Sequence, residues 1–346
     1  MNTRQEALLE RFAFTVPPSL ITRRPARPRD SARLLVYDRR TKKVAWDIFR
    51  NIGRYLPPRA LLVLNDTKVI PARLPVRRKT GGRIDLLLLS SGGGRIHALS
   101  PKRLREGEKL MIEPRCFLRV LKRDAAGWIL EPSFPLTRLR AILRRRGRTP
   151  LPPYMADSPL REGERRREYQ SVFARSDGSV AAPTASLHFT KPLLKRLQRD
   201  GIELATLTLH VGLGTFAPVT GDQLAHGSLH GERYIIPTKT CRALQKAQNE
   251  HRPIIAVGTT ALRALESAAD ARGRVARPRG TTTLFIREGY RFRLVDGLIT
   301  NFHVPRSSLL MLVSTLVGRR MLLSLYARAI RRKMRLFSFG DAMLIR

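Results

Sequence analysis

Hydrophobic and polar positions follow two different rhythms along this 346-residue chain. In the first part, apolar runs are short and stop at Gly, Pro or charged turns, as strands do. Leu34–Tyr37 is one such run, and Arg59–Asn65 is another, with Ala60–Leu64 bounded by Pro58 and by Asn65-Asp66. Between about residues 66 and 135 the clearest are Ile84–Leu89, Lys109–Ile112, Phe117–Leu121 and Gly127–Leu130. Their close spacing predicts a small barrel or sandwich. Residues 17–33, rich in Pro and Arg, read as an extended arm. Arg138–Arg146 reads as a short basic helix ended by Gly147, and Pro150–Tyr154 (PLPPY) as a stiff connection.

After about residue 178 helices alternate with strands. Helices are predicted over Phe189–Asp200, with Thr190 as N-cap and Pro192 in the first turn, and over Thr238–Glu250, Thr260–Ala271, Ser307–Val317 and Arg320–Arg332. Strands are predicted at Ile202–His210, Ile254–Val257, Thr283–Ile286 and Arg291–Leu294. That alternation defines an α/β domain with a largely parallel sheet.

Hydrophobic residues make up 42% of the chain, enough for a real core. The charge is less ordinary: 66 Lys+Arg against 27 Asp+Glu, a net +39, with Arg far outnumbering Lys. A polyanion would relieve that self-repulsion and gain from counterion release, with nucleic acid as first candidate and an anionic membrane as second. Codon drift toward Arg is the bland alternative and is compatible with either. Cys116 and Cys241 suggest neither a disulfide framework nor a zinc site. Glu6 and Glu10 interrupt the N-terminal segment, so no signal peptide is expected, and Ser307–Gly318 is too short for a span of about 20 residues. A cytoplasmic location follows as an expectation, with no membrane partner.

Five places could carry chemistry. His210-Val-Gly-Leu-Gly-Thr-Phe216 follows an apolar strand, and Gly212 and Gly214, with Thr215, would let the backbone approach a ligand; a tight turn is the plain alternative. Ile255–Glu266 reads as strand, Gly258 turn and helix, with Thr259 and Thr260 at the helix start. In the same segment Arg263 and Glu266 stand i, i+3, where a solvated ion pair is the alternative. Asn301 and His303 lie in the polar junction Thr300–Pro305, and Thr184, His188 and Phe189 in Ala182–Thr190. His230 and Glu232, two apart, would share one face of a strand and suit proton transfer or a surface ion pair. HExxH, CxxC, GxSxG and Walker patterns are absent, so no metal is expected and a Ser-His-Asp hydrolase is disfavoured.

Seven runs together carry a resemblance: Leu62–Leu74 (LVLNDTKVIPARL), Pro150–Tyr154, Gly178–Thr190, Leu209–Val219, Ile255–Ala268, Gly297–Ser314 and Phe337–Ile345. In this order they resemble the S-adenosylmethionine:tRNA ribosyltransferase-isomerase family of queuosine biosynthesis. The resemblance implies an α/β main domain with an inserted small β-barrel, expected to divide as 1–62, 63–150 and 151–346. It implies S-adenosylmethionine as ribosyl donor and tRNA bearing 7-aminomethyl-7-deazaguanine as acceptor, giving epoxyqueuosine with release of adenine and methionine. A monomer is expected. On that basis His188, His210, His303, Asp66 and Glu232 are candidates for catalysis. Gly212, Gly214, Thr215, Gly258, Thr259, Thr260, Arg263 and Asn301 are candidates for the donor, and Arg73, Thr184, Phe189 and His230 for the RNA substrate. The chain departs from the family pattern at Ser186, where Gly is usual, at Gly227, where a His is usual, in Arg165–Gln170, and near His97–Arg103. These departures leave open a non-catalytic or altered-specificity RNA-binding relative. Another S-adenosylmethionine-dependent RNA enzyme, such as a methyltransferase, is a further alternative.

Overall fold

The computed structural model describes residues 3–124, 127–212 and 219–346. Its main sheet has nine strands among the described residues. In spatial order they are Arg279–Leu284, Ser228–Ile235, Glu203–Leu209, Leu61–Asn65, Ile254–Val257, Gly297–Asn301, Ala342–Ile345, Arg33–Tyr37 and Val44–Ile48. The four strands from Glu203–Leu209 to Gly297–Asn301 are mutually parallel, whereas antiparallel pairs flank them on either side. Leu61–Asn65 shows why an unbroken apolar run suits this position. Leu61 and Val63 pack into one hydrophobic cluster while Leu62 and Leu64 pack into the other, so both faces of the strand are buried.

The closed barrel comprises Gly127–Pro132, Arg95–Leu99, Arg83–Gly92, Arg73–Arg78, Lys109–Glu113 and Cys116–Asp124. It fills its own interior with Leu74, Leu86, Leu110, Leu118 and their neighbours. Its side chains alternate: in Arg83–Gly92, Ile84, Leu86 and Leu88 point inward. The expected boundary after residue 62 falls inside the main-sheet strand Leu61–Asn65, because that strand must run on to Asn65 to pair with Glu203–Leu209. The first barrel strand starts only at Arg73.

Thr190 caps the helix Lys191–Arg199, accepting from Leu193 N–H at 3.2 Å, and Ser307 does the same for Ser308–Val317 from Leu310 N–H at 3.2 Å. The latter helix is largely buried, as its apolar sequence predicts. Among the described residues no single helix is long and apolar enough to cross a membrane.

Two predicted strands need correction. Thr283–Ile286 is displaced to Arg279–Leu284, and Arg291–Leu294 forms no strand. The backbone N–H groups of Arg293, Leu294 and Val295 instead donate to the Glu266 carboxylate at 2.9, 3.1 and 3.0 Å, so a side chain takes the place of a neighbouring strand. Glu266 also accepts from Tyr290 Oη at 2.9 Å and is buried, which rules out a solvated pair with Arg263. At Gly227 the backbone is left-handed (φ 64°) and ends the helix Gly221–His226, a position that favours glycine.

Candidate active site

The four parallel strands end side by side at Leu209, Asn65, Val257 and Asn301. Ligands of open α/β sheets gather beyond such carboxyl ends. Here the barrel is inserted immediately after one of them, so its wall stands over the sheet's chemical edge. Asn65 ties the edge together. Its amide nitrogen donates to Leu209 O (3.0 Å) and Thr260 Oγ1 (3.1 Å), while its oxygen accepts from Leu209 N–H (3.0 Å) and Thr67 N–H (3.2 Å).

Between barrel and sheet lies a cleft of about 560 Å³. Leu88–Ser91 and Leu139–Arg144 supply part of the barrel-side wall, and His210–Gly212 with Gly231–Arg233 the opposite one. His210 is half-buried, and its Nδ1 is 2.9 Å from Thr67 Oγ1. Burial, then the charge of Arg233, hold its pKa below the ordinary histidine value, against the opposing pull of Asp66 and Asp177. The ring is therefore neutral at pH 7, and among the described residues Nε2 has no partner. Gly178, at φ 146°, runs beneath it; a Cβ there would lie 3.0 Å from the imidazole.

Glu232 and Arg263 form a buried ion pair on the same wall, each about 5% exposed or less. Glu232 also accepts from Gly212 N–H at 2.9 Å, and Arg263 Nε donates to Leu284 O at 3.0 Å. This pair therefore anchors the backbone of Gly212. The rim is basic: Lys68, Arg140, Arg144, Arg166 and Arg233 line it, with Asp177 near Lys68 (3.6 Å) and Arg144 (3.8 Å). Gln170 clamps the entry to the barrel, accepting from Val69 N–H at 3.0 Å and donating to Val69 O at 2.7 Å.

A second, smaller cleft of about 40 Å³ sits at the ends of the two neighbouring parallel strands. Thr184, Gly258, Thr259, Thr260, Asn301 and His303 line it, together with Tyr154, Phe302 and Phe337. His303 Nε2 lies 2.8 Å from Thr300 Oγ1, its backbone N–H donates to Tyr326 Oη at 2.8 Å, and burial pushes its pKa down to about 3. The candidate residues thus occupy two neighbouring clefts rather than one, joined by Asn65 and by the segment 178–184, which passes from the first to the second.

Several candidates stand elsewhere. Phe189 is fully buried, edge-on to Phe49 and Phe173, so it is core and not a substrate contact. His188, four per cent exposed, packs against Phe49, and burial lowers its pKa to about 4. His230 is exposed while Glu232 is buried, because the pairing register shifts between Ser228 and Glu232 and breaks the expected alternation. Arg73 lies in a barrel strand, bonded through its backbone to Arg148, and lines neither cleft. Asp66 lies behind His210, accepting from Thr208 Oγ1 at 2.6 Å. Gly214 and Thr215 lie outside the described residues. Thr67, Gln170, Asp177, Arg140, Arg144 and Arg233 were not singled out from sequence. The polar triplet Asn65-Asp66-Thr67 directly after a buried strand was the available signal for the first. Among the described residues no group of three or more His, Cys, Asp or Glu stands placed to hold a metal ion.

Fold and clefts together define an α/β protein that receives a small ligand at its parallel strand ends, beneath a basic wall suited to a polyanion. A family model described as queuosine biosynthesis protein matches residues 9–345, and the chain belongs to that family. It is 44% identical over 344 residues to the S-adenosylmethionine:tRNA ribosyltransferase-isomerase of Trichlorobacter lovleyi, covering 98% of this chain and 99% of that protein. The enzyme of the same name from Thermotoga maritima is 42% identical over 338 residues, covering 96% and 98%. A crystal structure of S-adenosylmethionine tRNA ribosyltransferase from Thermotoga maritima superposes with a TM-score of 0.56 at 34% identity, covering 97% of this chain and all of that one.

Proposed function

We propose that this protein is a cytoplasmic S-adenosylmethionine:tRNA ribosyltransferase-isomerase. It transfers the ribosyl group of S-adenosylmethionine to 7-aminomethyl-7-deazaguanine at the tRNA wobble position and isomerises it to epoxyqueuosine, releasing adenine and methionine. The observation that carries this reading is end-to-end identity with enzymes of that name, combined with a neutral histidine in a basic cleft.

The donor's sulfonium acidifies the carbon beside it. His210 is the candidate base: burial favours the neutral ring, and in the tautomer whose Nδ1–H donates to Thr67 Oγ1, Nε2 is the open basic nitrogen. That proton passes to His210; the carbanion's electron pair opens the sugar and breaks the bond to adenine, and the imidazolium so formed is the source of the proton adenine takes as it leaves. The aminomethyl nitrogen then forms its bond to the ribosyl carbon, and methionine departs as the epoxide closes. Glu232 and Arg263 hold Gly212 in place behind the reacting centre, and Lys68, Arg140, Arg144 and Arg233 at the rim are suited to RNA phosphates. His303, with its low pKa and Thr300 contact, acts as a neutral hydrogen-bonding group and not as an acid.

The test is incubation with precursor-bearing tRNA and S-adenosylmethionine, followed by mass spectrometry of the wobble nucleoside and assay of free adenine. Epoxyqueuosine with one adenine per turnover is expected. S-adenosylhomocysteine in place of adenine would make the protein a methyltransferase, and salt-sensitive tRNA binding without either product would make it a non-catalytic relative.

A further inference from the structure

The helix Arg319–Arg331 ends in a run of cations that no acid answers. From Gly297 to Gly340 the chain carries eight Lys and Arg and no Asp or Glu. Exposed arginines elsewhere find carboxylates, such as Arg23 with Asp157 at 2.7 Å and Arg59 with Glu250 at 2.9 Å. Arg328, Arg331, Arg332 and Lys333 have no such pair among the described residues, and the last three are exposed. Cations at a helix end ordinarily answer the macrodipole, which amounts to about half a negative charge. Here Arg33 already meets that need, donating to the carbonyls of Arg332 (2.9 Å) and Lys333. Four further cations exceed it several-fold and repel one another.

The cluster is also held in shape. The guanidinium carbons of Arg328 and Arg332, one helical turn apart, lie 5.7 and 4.6 Å from the centroid of the same Trp46 ring. Stacking on an indole fixes a guanidinium plane and leaves N–H groups at its edge for acceptors. Trp46 belongs to Val44–Ile48, the edge strand of the main sheet.

Sheet register gives the cluster its place. Asn301 pairs with Ala342 and Ala342 with Leu34, so Arg33, and the helix end it holds, stand at the same end of the sheet as the two clefts. Six inter-strand steps separate Glu203–Leu209, which leads to His210, from Val44–Ile48, roughly 29 Å at about 4.8 Å each. A mononucleotide or free phosphate cannot reach across that distance, and an extended polyanion can. An anionic membrane fits poorly, because Leu322, Leu325, Tyr326 and Ala329 turn the helix's apolar face into the core and leave nothing to insert.

We propose that this Arg-Trp cluster is a second contact surface for the RNA, taking phosphates of its stem while the modified base enters the cleft beside His210. The proposal rests on tRNA as the substrate.

The experiment is filter binding of an unmodified tRNA transcript across salt concentrations. Arg331→Gln with Arg332→Gln should weaken binding roughly tenfold at about 0.1 M salt and reduce the salt slope by about two. The control, Arg320→Gln with Lys43→Gln, removes the same charge from exposed residues at the opposite end of that helix and of the edge strand, and should leave the slope unchanged. Equal losses in the two double variants would reduce the effect to net charge and overturn the proposal. So would intact tRNA binding in Arg331→Gln with Arg332→Gln, and loss of binding only to phosphatidylserine vesicles would assign the surface to a membrane instead. A second measurement leaves the cluster intact: Trp128→Phe makes Trp46 the sole indole. Its emission should change on adding tRNA and recover at high salt, and an unresponsive Trp46 would also overturn the proposal. Wild-type turnover of precursor-bearing tRNA is judged separately, so failure of this surface and failure of the enzyme reading are distinguishable.

Discussion

Replacing Arg263 by Met probes the buried pair that anchors Gly212. Glu232 and Arg263 are both about 5% exposed or less, and neither has water to fall back on. Removing one member of such a pair leaves a buried charge, at a cost of about 3–5 kcal/mol. With an unfolding entropy of about 2.1 cal/mol/K per residue, a chain of this length loses about 0.7 kcal/mol per degree, so the melting temperature should fall by about 4–7 °C. Glu232→Gln should cost a comparable amount, because it strands the guanidinium, although its amide oxygen still accepts from Gly212 N–H. The double variant carries no buried charge and should recover most of the loss, giving a coupling of about 2 kcal/mol or more. Thermal and urea unfolding of the four proteins measures this directly. Single variants within about 1 kcal/mol of wild type, with no coupling, would show that the pair is hydrated and does not anchor Gly212.

Four further outcomes follow from the same geometry. Gly178→Ala forces a Cβ to 3.0 Å from the His210 ring at an unfavourable φ; turnover should drop about tenfold or more while folding persists, and unchanged kcat would remove His210 from the role of base. Since His210 is depressed below the ordinary histidine pKa, the acid limb of kcat/KM should lie below about pH 6.5, as read from a pH–rate profile; a limb above that value contradicts a desolvated base. His303, with a folded pKa of about 3, takes up a proton on unfolding at pH values between there and the ordinary 6.5. Its contribution to stability is therefore complete above about pH 6.5 and is lost as pH falls toward 3, at about 1.4 kcal/mol per unit, and His303→Asn should flatten urea-measured stability against pH by that one-proton slope. Arg140→Ala with Arg144→Ala should weaken tRNA binding uniformly and reduce the salt slope by about one for each phosphate no longer neutralised, as measured by filter binding across salt concentrations.

The elements were legible wherever a segment's own pattern decided its state. Leu61–Asn65 and Ile254–Val257 are continuous apolar runs because both faces are covered, and Thr190 and Ser307 cap helices through bonds made three residues away. Legibility failed where a distant side chain replaced the usual partner. Arg291–Leu294 has strand-like residues, yet Glu266, more than twenty residues earlier, occupies its N–H groups. Periodicity cannot register that substitution, since it involves a single carboxylate.

The site divides along the same line. Motifs at strand ends pointed to His210, Gly212, Thr259, Asn301 and His303, all of which line one cleft or the other. Neighbours in sequence were then assumed to share a role, and the assumption broke at Phe189 and His230. Phe189 belongs to the core because the short helical turn Thr184–His188 carries the chain inward before Thr190. His230 is parted from Glu232 by a shift in pairing register. What sequence order conceals is the role of Asn65: the last residue of an ordinary strand, it bonds Leu209, Thr67 and Thr260 together. Substituting it would loosen both clefts at once, because the strand end bearing His210 and the helix start facing Asn301 have it as a common support.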